Sequence, residues 1–245
     1  MKINIKRFNQ ANEPQKFINE FEVSNTNLLQ AFNEIKKEHD ETLTYRCGCK
    51  SGVCGSCAVR VNGVERLACK TNINENDVIE PIKNSKVIKD LVVDVSHETL
   101  LIEKTNSFMQ DNSDEEIEQK DINKIDRQSN CILCNSCYSS CPVYEANKSF
   151  LGPFALSRAL RYSNDKKMAN NDLIIDSIQS NGIWDCTLCG ACTMVCPQGI
   201  DPKMDILQLQ GLASQKGYTN PYQATYDSNM GFDMSDMGFD PNGSF

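Results

Sequence analysis

The sequence predicts an α+β chain in two halves, an N-terminal β-grasp sheet domain followed by an α-helical domain. Three observations carry this expectation. Apolar residues alternate at period two near the start, at Ile3 and Ile5, and again at Phe17, Phe21 and Val23 across Lys16 to Val23. They recur at helical spacing in the second half, at Phe154, Leu156, Ala159 and Leu160, then at Leu173, Ile174, Ile175 and Ile178. Thirteen cysteines fall into three groups, one in the first half and two in the second.

Composition excludes several classes. The 245 residues are 40% apolar and 24% charged, which is ordinary for a chain with a buried core. The net charge of −8 argues against a polyanion-binding surface, which needs clustered Lys and Arg. No apolar run approaches the roughly 20 residues needed to span a bilayer. The start, Met1 to Phe8, alternates polar and apolar and does not read as a secretory signal. Thirteen cysteines without an export signal read as metal ligands rather than disulfides, because a cytosolic redox poise keeps thiols reduced. His39 and His97, the two histidines, lie outside the cysteine runs and read as exposed polar residues. Their positions exclude Cys2His2 zinc fingers and a Rieske centre, leaving all-thiolate chemistry.

The elements follow in order. After the two strands, Asn25 to Asn27 offers helix caps, with Leu28, Phe32 and Ile35 recurring at helical spacing. Cys49, Cys54, Cys57 and Cys69 then give C-x4-C-x2-C and a fourth cysteine after eleven intervening residues, the plant-type [2Fe–2S] spacing. Glycines at 48, 52 and 55 let such a loop wrap a cluster and present N–H groups to its sulfurs. Cys47 would require an x6 loop and is left out of the ligand set as a small hydrophobe. Ala58 to Val61 runs into Asn62-Gly63, a two-residue hairpin signal that returns Cys69 to the loop. A short strand near Val78 to Ile82 is expected to close the sheet.

The second and third groups each read C-x2-C-x2-C-x3-C-P, at Cys131, Cys134, Cys137, Cys141 and at Cys186, Cys189, Cys192, Cys196. In this bacterial ferredoxin run three cysteines hold one cubane and the fourth reaches across to the other. Cross-ligation assigns Cys131, Cys134, Cys137 and Cys196 to one [4Fe–4S] cluster. It assigns Cys141, Cys186, Cys189 and Cys192 to a second [4Fe–4S] cluster. The expected organisation is residues 1–105 as the β-grasp ferredoxin domain, 106–126 as an acidic linker, 127–217 as the helical domain and 218–245 as a flexible tail. Within the linker, 111–126 holds seven acids and reads as solvent-facing. A last helix runs from Pro202 to about Gly217, and the tail repeats Met-Gly-Phe-Asp at Met230 and Met237.

These residues resemble the iron–sulfur subunits of succinate dehydrogenase and fumarate reductase. The likeness spans Met1 to about Gly217. It includes Tyr45 to Thr71, Lys89-Asp90-Leu91-Val92-Val93-Asp94, Phe150-Leu151-Gly152-Pro153, Arg161-Tyr162 and both cubane runs. The resemblance implies an electron relay with no catalytic residue of its own. One partner would be an FAD-containing catalytic subunit, and the other a membrane-associated, quinone-reactive or cysteine-rich heterodisulfide-reductase-like subunit. It departs from the family's commonest members at two places. They lack a cysteine matching Cys189, so their third centre is [3Fe–4S] on counterparts of Cys141, Cys186 and Cys192; here Cys189 supplies a fourth thiolate for [4Fe–4S], with [3Fe–4S] the alternative if it does not ligate. They also place Trp and His near the quinone, where this chain has Val143-Tyr144-Glu145 and Thr187. The implied location is cytoplasmic and peripheral to the inner membrane, or periplasmic if the chain is co-exported with a partner. The rival readings are the same relay serving another flavoprotein, such as one oxidising a hydroxy acid, a zinc scaffold, and a cluster-based sensor.

Overall fold

A computed structural model describes residues 1–8, 16–110 and 112–223. The Met-Gly-Phe-Asp repeats of the tail lie outside the described residues. The first half is a five-stranded sheet with one helix packed on it. The strands are β1 (Lys2–Phe8), β2 (Lys16–Glu22), β3 (Ala58–Val61), β4 (Val64–Leu67) and β5 (Asp77–Glu80), in the order β2-β1-β5-β3-β4. β1 pairs antiparallel with β2 and parallel with β5, which in turn pairs antiparallel with β3. The strand expected to close the sheet therefore lies at its centre. Sheet order is a tertiary property, and the alternation at Val78 fixes only which face is buried.

Helix α1 (Leu28–Glu34) starts where Asn27 accepts hydrogen bonds from the backbone N–H groups of Leu29 (3.1 Å) and Gln30 (3.2 Å). These satisfy donors that the first turn leaves without helical partners. Leu28, Phe32 and Ile35 are buried against Ile3, Ile5 and Ile79 of the sheet. The hairpin forms at Asn62-Gly63, both with positive φ, as a two-residue turn matched to strand twist requires. A two-stranded ribbon, β6 (Val87–Lys89) with β7 (Val92–Val93), ends this half.

Glu34 braces the entry to α1 from its far end. Burial pushes its carboxyl up, but bonds from the Asn25 side chain and the Ser24 and Asn25 amides outweigh this and hold the pKa at about 2. A depressed carboxylate stabilises fully above its unfolded pKa, here near 4.5, and its contribution is lost as pH falls towards 2. Glu34→Gln should therefore flatten the acid limb of stability between those values, read as denaturant midpoints of both proteins at matched pH. Parallel limbs would refute it.

The second half is helical: α2 (His97–Lys104), α3 (Gln119–Ser129), α4 (Ser136–Ser139), α5 (Pro142–Ala146), α6 (Pro153–Ser163), α7 (Asp172–Ser177), α8 (Ala191–Met194) and α9 (Pro202–Gln215). Its core gathers Leu101, Phe154, Leu156, Leu160, Ile174, Ile175, Ile206 and Leu209. The helices expected around residues 154–160 and 173–178 are present as α6 and α7, although Leu173 is exposed. The acidic stretch is not wholly solvated. Its later part is α3, opened by a capping box between Glu118 and Asp121. Asp121 is buried and paired with Lys124 and Lys166.

Candidate functional site

The first cysteine group occupies the loop between α1 and the β3–β4 hairpin. Cys49 and Cys54 are exposed, Cys57 is buried and Cys69 is half-buried. Cys69 sits in a tight turn, Ala68–Lys70, just after β4, and the hairpin brings that turn back beside Cys57, whose carbonyl accepts from the Ala68 N–H (3.0 Å). Asn27 also donates through Nδ2 to the Cys69 carbonyl (3.2 Å), so the residue that caps α1 anchors this loop as well. The backbone N–H groups of Ser51 and Val53 point at Cys49 Sγ (both 3.4 Å), and that of Cys49 points at Cys54 Sγ (3.3 Å). Bonds from Ser51 and the Val53 amide lower the Cys49 thiol to about 6, whereas burial pushes Cys57 up to about 11. Cys47 is exposed.

The two remaining groups interleave. Cys131, Cys134, Cys137 and Cys196 line one cavity with Phe154, Pro197 and Ile200. Burial first, then repulsion by Cys134 and Cys196, pushes the Cys131 thiol up to about 11. Burial, then repulsion by Cys134, Cys131 and also Cys192 of the third run, raises Cys137 well above its ordinary value. A second set is joined in the same way. Burial and then repulsion by Cys186 and Cys141 push Cys192 up to about 12, and Cys141 and Cys189 both raise Cys186. The Cys141 sulfur opens α5 by accepting from the Tyr144 N–H (3.4 Å), with Pro142 in the first turn. The Leu188 N–H similarly points at Cys186 Sγ (3.4 Å).

All thirteen cysteines are free thiols. Clustered thiols that repel one another, backbone N–H groups directed at sulfur, and a cavity walled by four cysteines fit iron–sulfur centres. A disulfide framework would instead pair these thiols off. No helix among the described residues is long and apolar enough to cross a membrane.

Several residues that position the sites are not evident from spacing. His97 is half-buried rather than exposed. Its Nε2 lies 3.1 Å from Asn135 Oδ1, and its ring contacts those of Tyr138 and Tyr144. Burial lowers its pKa. Asn135, next to Cys134, also donates to Glu98, so the start of α2 braces the second cysteine run. Between the halves, Ser139 Oγ donates to the buried Glu65 (2.6 Å) and accepts from the Lys83 N–H (2.8 Å). Gln198 Nε2 donates to the Gly52 carbonyl (2.9 Å). Trp184 stands before the third run, half-buried, with its indole N–H on Gln179 (2.8 Å).

Comparison with known proteins agrees with this geometry. Residues 2–99 match the family described as 2Fe-2S iron-sulfur cluster binding domain, and residues 127–200 match the 4Fe-4S dicluster domain. The fumarate reductase iron–sulfur subunit of Haemophilus influenzae is 31% identical over 232 residues, covering 85% of this chain and 91% of that one. The 8-methylmenaquinol:fumarate reductase iron–sulfur subunit of Wolinella succinogenes is 35% identical over 208 residues, 78% of this chain and 65% of that one. An uncharacterised iron–sulfur protein of Methanocaldococcus jannaschii is 35% identical over 224 residues; the match takes in 89% of this chain but only 45% of that longer protein. Among solved structures, a chain of the Mycobacterium smegmatis Sdh1 complex in the apo form shares the fold, with a TM-score of 0.77 at 24% identity, over 91% of this chain and 98% of that one. With two domain matches in the order its cysteines require, and fumarate reductase subunits alike over most of their length, this chain belongs to the family of iron–sulfur subunits of fumarate reductases and succinate dehydrogenases.

Proposed function

We propose that this chain relays electrons between an FAD-containing catalytic subunit that interconverts succinate and fumarate and a membrane-side subunit that is quinone-reactive or heterodisulfide-reductase-like. The observation that carries this reading is that each outer cysteine set combines a buried member (Cys57; Cys141 and Cys192) with an exposed one, and the middle set has no exposed member. Cys49 and Cys54 at one end are exposed, and so is Cys189 at the other, while Cys131, Cys134, Cys137 and Cys196 between them are half-buried. An outer site that exchanges electrons with a partner needs an open edge. A middle station needs only its two neighbours.

The ligands we assign are Cys49, Cys54, Cys57 and Cys69 for a [2Fe–2S] centre, and Cys131, Cys134, Cys137 and Cys196 for a [4Fe–4S] centre. Cys141, Cys186, Cys189 and Cys192 would hold a second [4Fe–4S] centre; the cavity that Cys131, Cys134, Cys137 and Cys196 line together supports this division. Such centres supply one-electron steps with little rearrangement. The chain's own residues hold them close together, keep water from the middle site and direct N–H groups at sulfur. The substrate chemistry belongs to the flavoprotein partner, and the complex sits at the membrane through its other subunit.

Anaerobically purified chain should contain about ten iron atoms and ten sulfides, as one two-iron and two cubane centres require. Once oxidised, it should lack the isotropic EPR signal of a [3Fe–4S] centre. One such signal per chain would remove Cys189 from the ligand set. Zinc without iron or acid-labile sulfide would end the relay reading altogether.

A further inference from the structure

The two halves meet closely at Gly55, between the first-group cysteines Cys54 and Cys57. Its φ is +71°, and the Ala58 N–H closes the turn onto its carbonyl (3.2 Å). A Cβ built there would lie 2.7 Å from the Ile132 carbonyl oxygen, 2.8 Å from Cys134 Cβ and 3.0 Å from Cys134 Cα. Ordinary contacts between carbon atoms run to about 3.5–4.0 Å. Two of the three obstructing atoms are backbone, inside the loop that carries Cys131 and Cys134, and they cannot swing aside as the end of a side chain can. Turn conformation alone does not demand this closeness. Gly63, at φ +83°, meets only Arg60 Nη2, at 3.5 Å.

We infer that Gly55 is a spacing residue. Its missing side chain lets the first cysteine loop rest directly on the Ile132–Cys134 backbone, and Gln198, bonded to the Gly52 carbonyl, steadies that contact. The gap between the first and second cysteine sets is thereby fixed at backbone contact. This inference rests on the electron-relay reading, and it matters because tunnelling falls exponentially with separation. Gly55 ligates nothing; it acts through the position of Cys54 and Cys57 relative to Cys134.

The test uses the full chain, isolated anaerobically, as wild type, Gly55→Ala and Gly63→Ala. Iron, sulfide and visible spectra establish first that the centres are present; their absence from wild type would overturn the relay reading and not the spacing argument. With the centres reduced, EPR relaxation measures the magnetic coupling of the two-iron centre to its cubane neighbour. Flash reduction measures the rate of transfer between them. Gly55→Ala should retain the two-iron spectrum, lose most of the relaxation enhancement and slow transfer severalfold. Gly63→Ala, with comparable backbone strain away from the interface, should keep both. Unchanged coupling in Gly55→Ala, or equal loss in Gly63→Ala, overturns the spacing role. If Gly55→Ala yields no iron-loaded protein, Gln198→Ala removes the steadying bond without adding volume. It must then weaken the coupling, and wild-type relaxation in that variant overturns the inference.

Discussion

Arg7→Ala should destabilise the N-terminal half by about 3–5 kcal/mol, the usual cost of stranding one member of a buried ion pair. Arg7 is 5% exposed and Asp90 is 1% exposed. The guanidinium meets Asp90 with Nε on Oδ1 and Nη2 on Oδ2, both at 3.1 Å, while also binding Asp40 and the Thr42 hydroxyl. Asp90 further accepts from the backbone N–H groups of Phe8 (3.3 Å) and Thr44 (2.9 Å). Truncation leaves that carboxylate charged, out of water and short of its strongest partner. The effect should reach the first cysteine loop, since residues 40–44 lead into it and this clamp pins them to β1. Chemical denaturation and iron retention should fall together. Arg7→Met combined with Asp90→Asn should recover much of the loss, because it removes the stranded charge and Asn tolerates the +47° φ at that position. A loss under about 1 kcal/mol for Arg7→Ala, typical of a surface pair, would show that the clamp is solvated and the argument wrong.

The helical half should be hit as hard by Gly152→Ala. A Cβ there would fall 2.1 Å from Tyr138 Cε1 and 2.5 Å from Cζ, and φ at Gly152 is +82°. The ring cannot yield. Tyr138 is fully buried, stacked edge-on against Tyr144 (centroids 4.7 Å apart) and Phe154 (4.9 Å), and its hydroxyl donates to the Leu151 carbonyl. Overpacking and left-handed strain together should cost roughly 2–5 kcal/mol. Tyr138 lies between Cys137 and Cys141, which we assign to different cubanes, so both should be lost while the two-iron spectrum survives. Tyr138→Phe, which removes only the hydroxyl and strands its acceptor, should cost about 1–3 kcal/mol. Gly152→Ala with wild-type thermal stability and full cubane content would refute the account.

What the sequence disclosed was mostly local. Asn62-Gly63 names a hairpin, Asn27 a cap, and cysteine spacing a ligand loop, because in each the partners lie within a few residues. The polar residues that join distant segments were less legible. Arg7 shares the face of Ile3 and Ile5, so period two does place it inward, but a pattern built on apolar residues passes over a buried charge. His97 reads as a lone exposed imidazole because its partner, Asn135, is 38 residues away. Asp121 looks like one more acid in an acidic run, and the helix start it caps and its pairing with the distant Lys166 give it a reason to be buried. The Gly55 contact belongs to the same class. Spacing within one motif says nothing about which other motif leans on it.

The hydroxyl of Ser139 has one further implication. It donates a hydrogen bond to a carboxylate of the sheet half, accepts one from the amide of Lys83, and is itself almost wholly out of water. Glu65 also meets Arg60 Nε of its own half at 3.1 Å, whereas both bonds of the Ser139 hydroxyl come from the sheet half. A graft of the helical half onto a foreign ferredoxin would leave a dry alcohol without either of its partners, and the sheet half would keep its acid on Arg60 alone. The pair is therefore not a set of interchangeable modules but a matched lock, to be engineered, or inherited, as one piece.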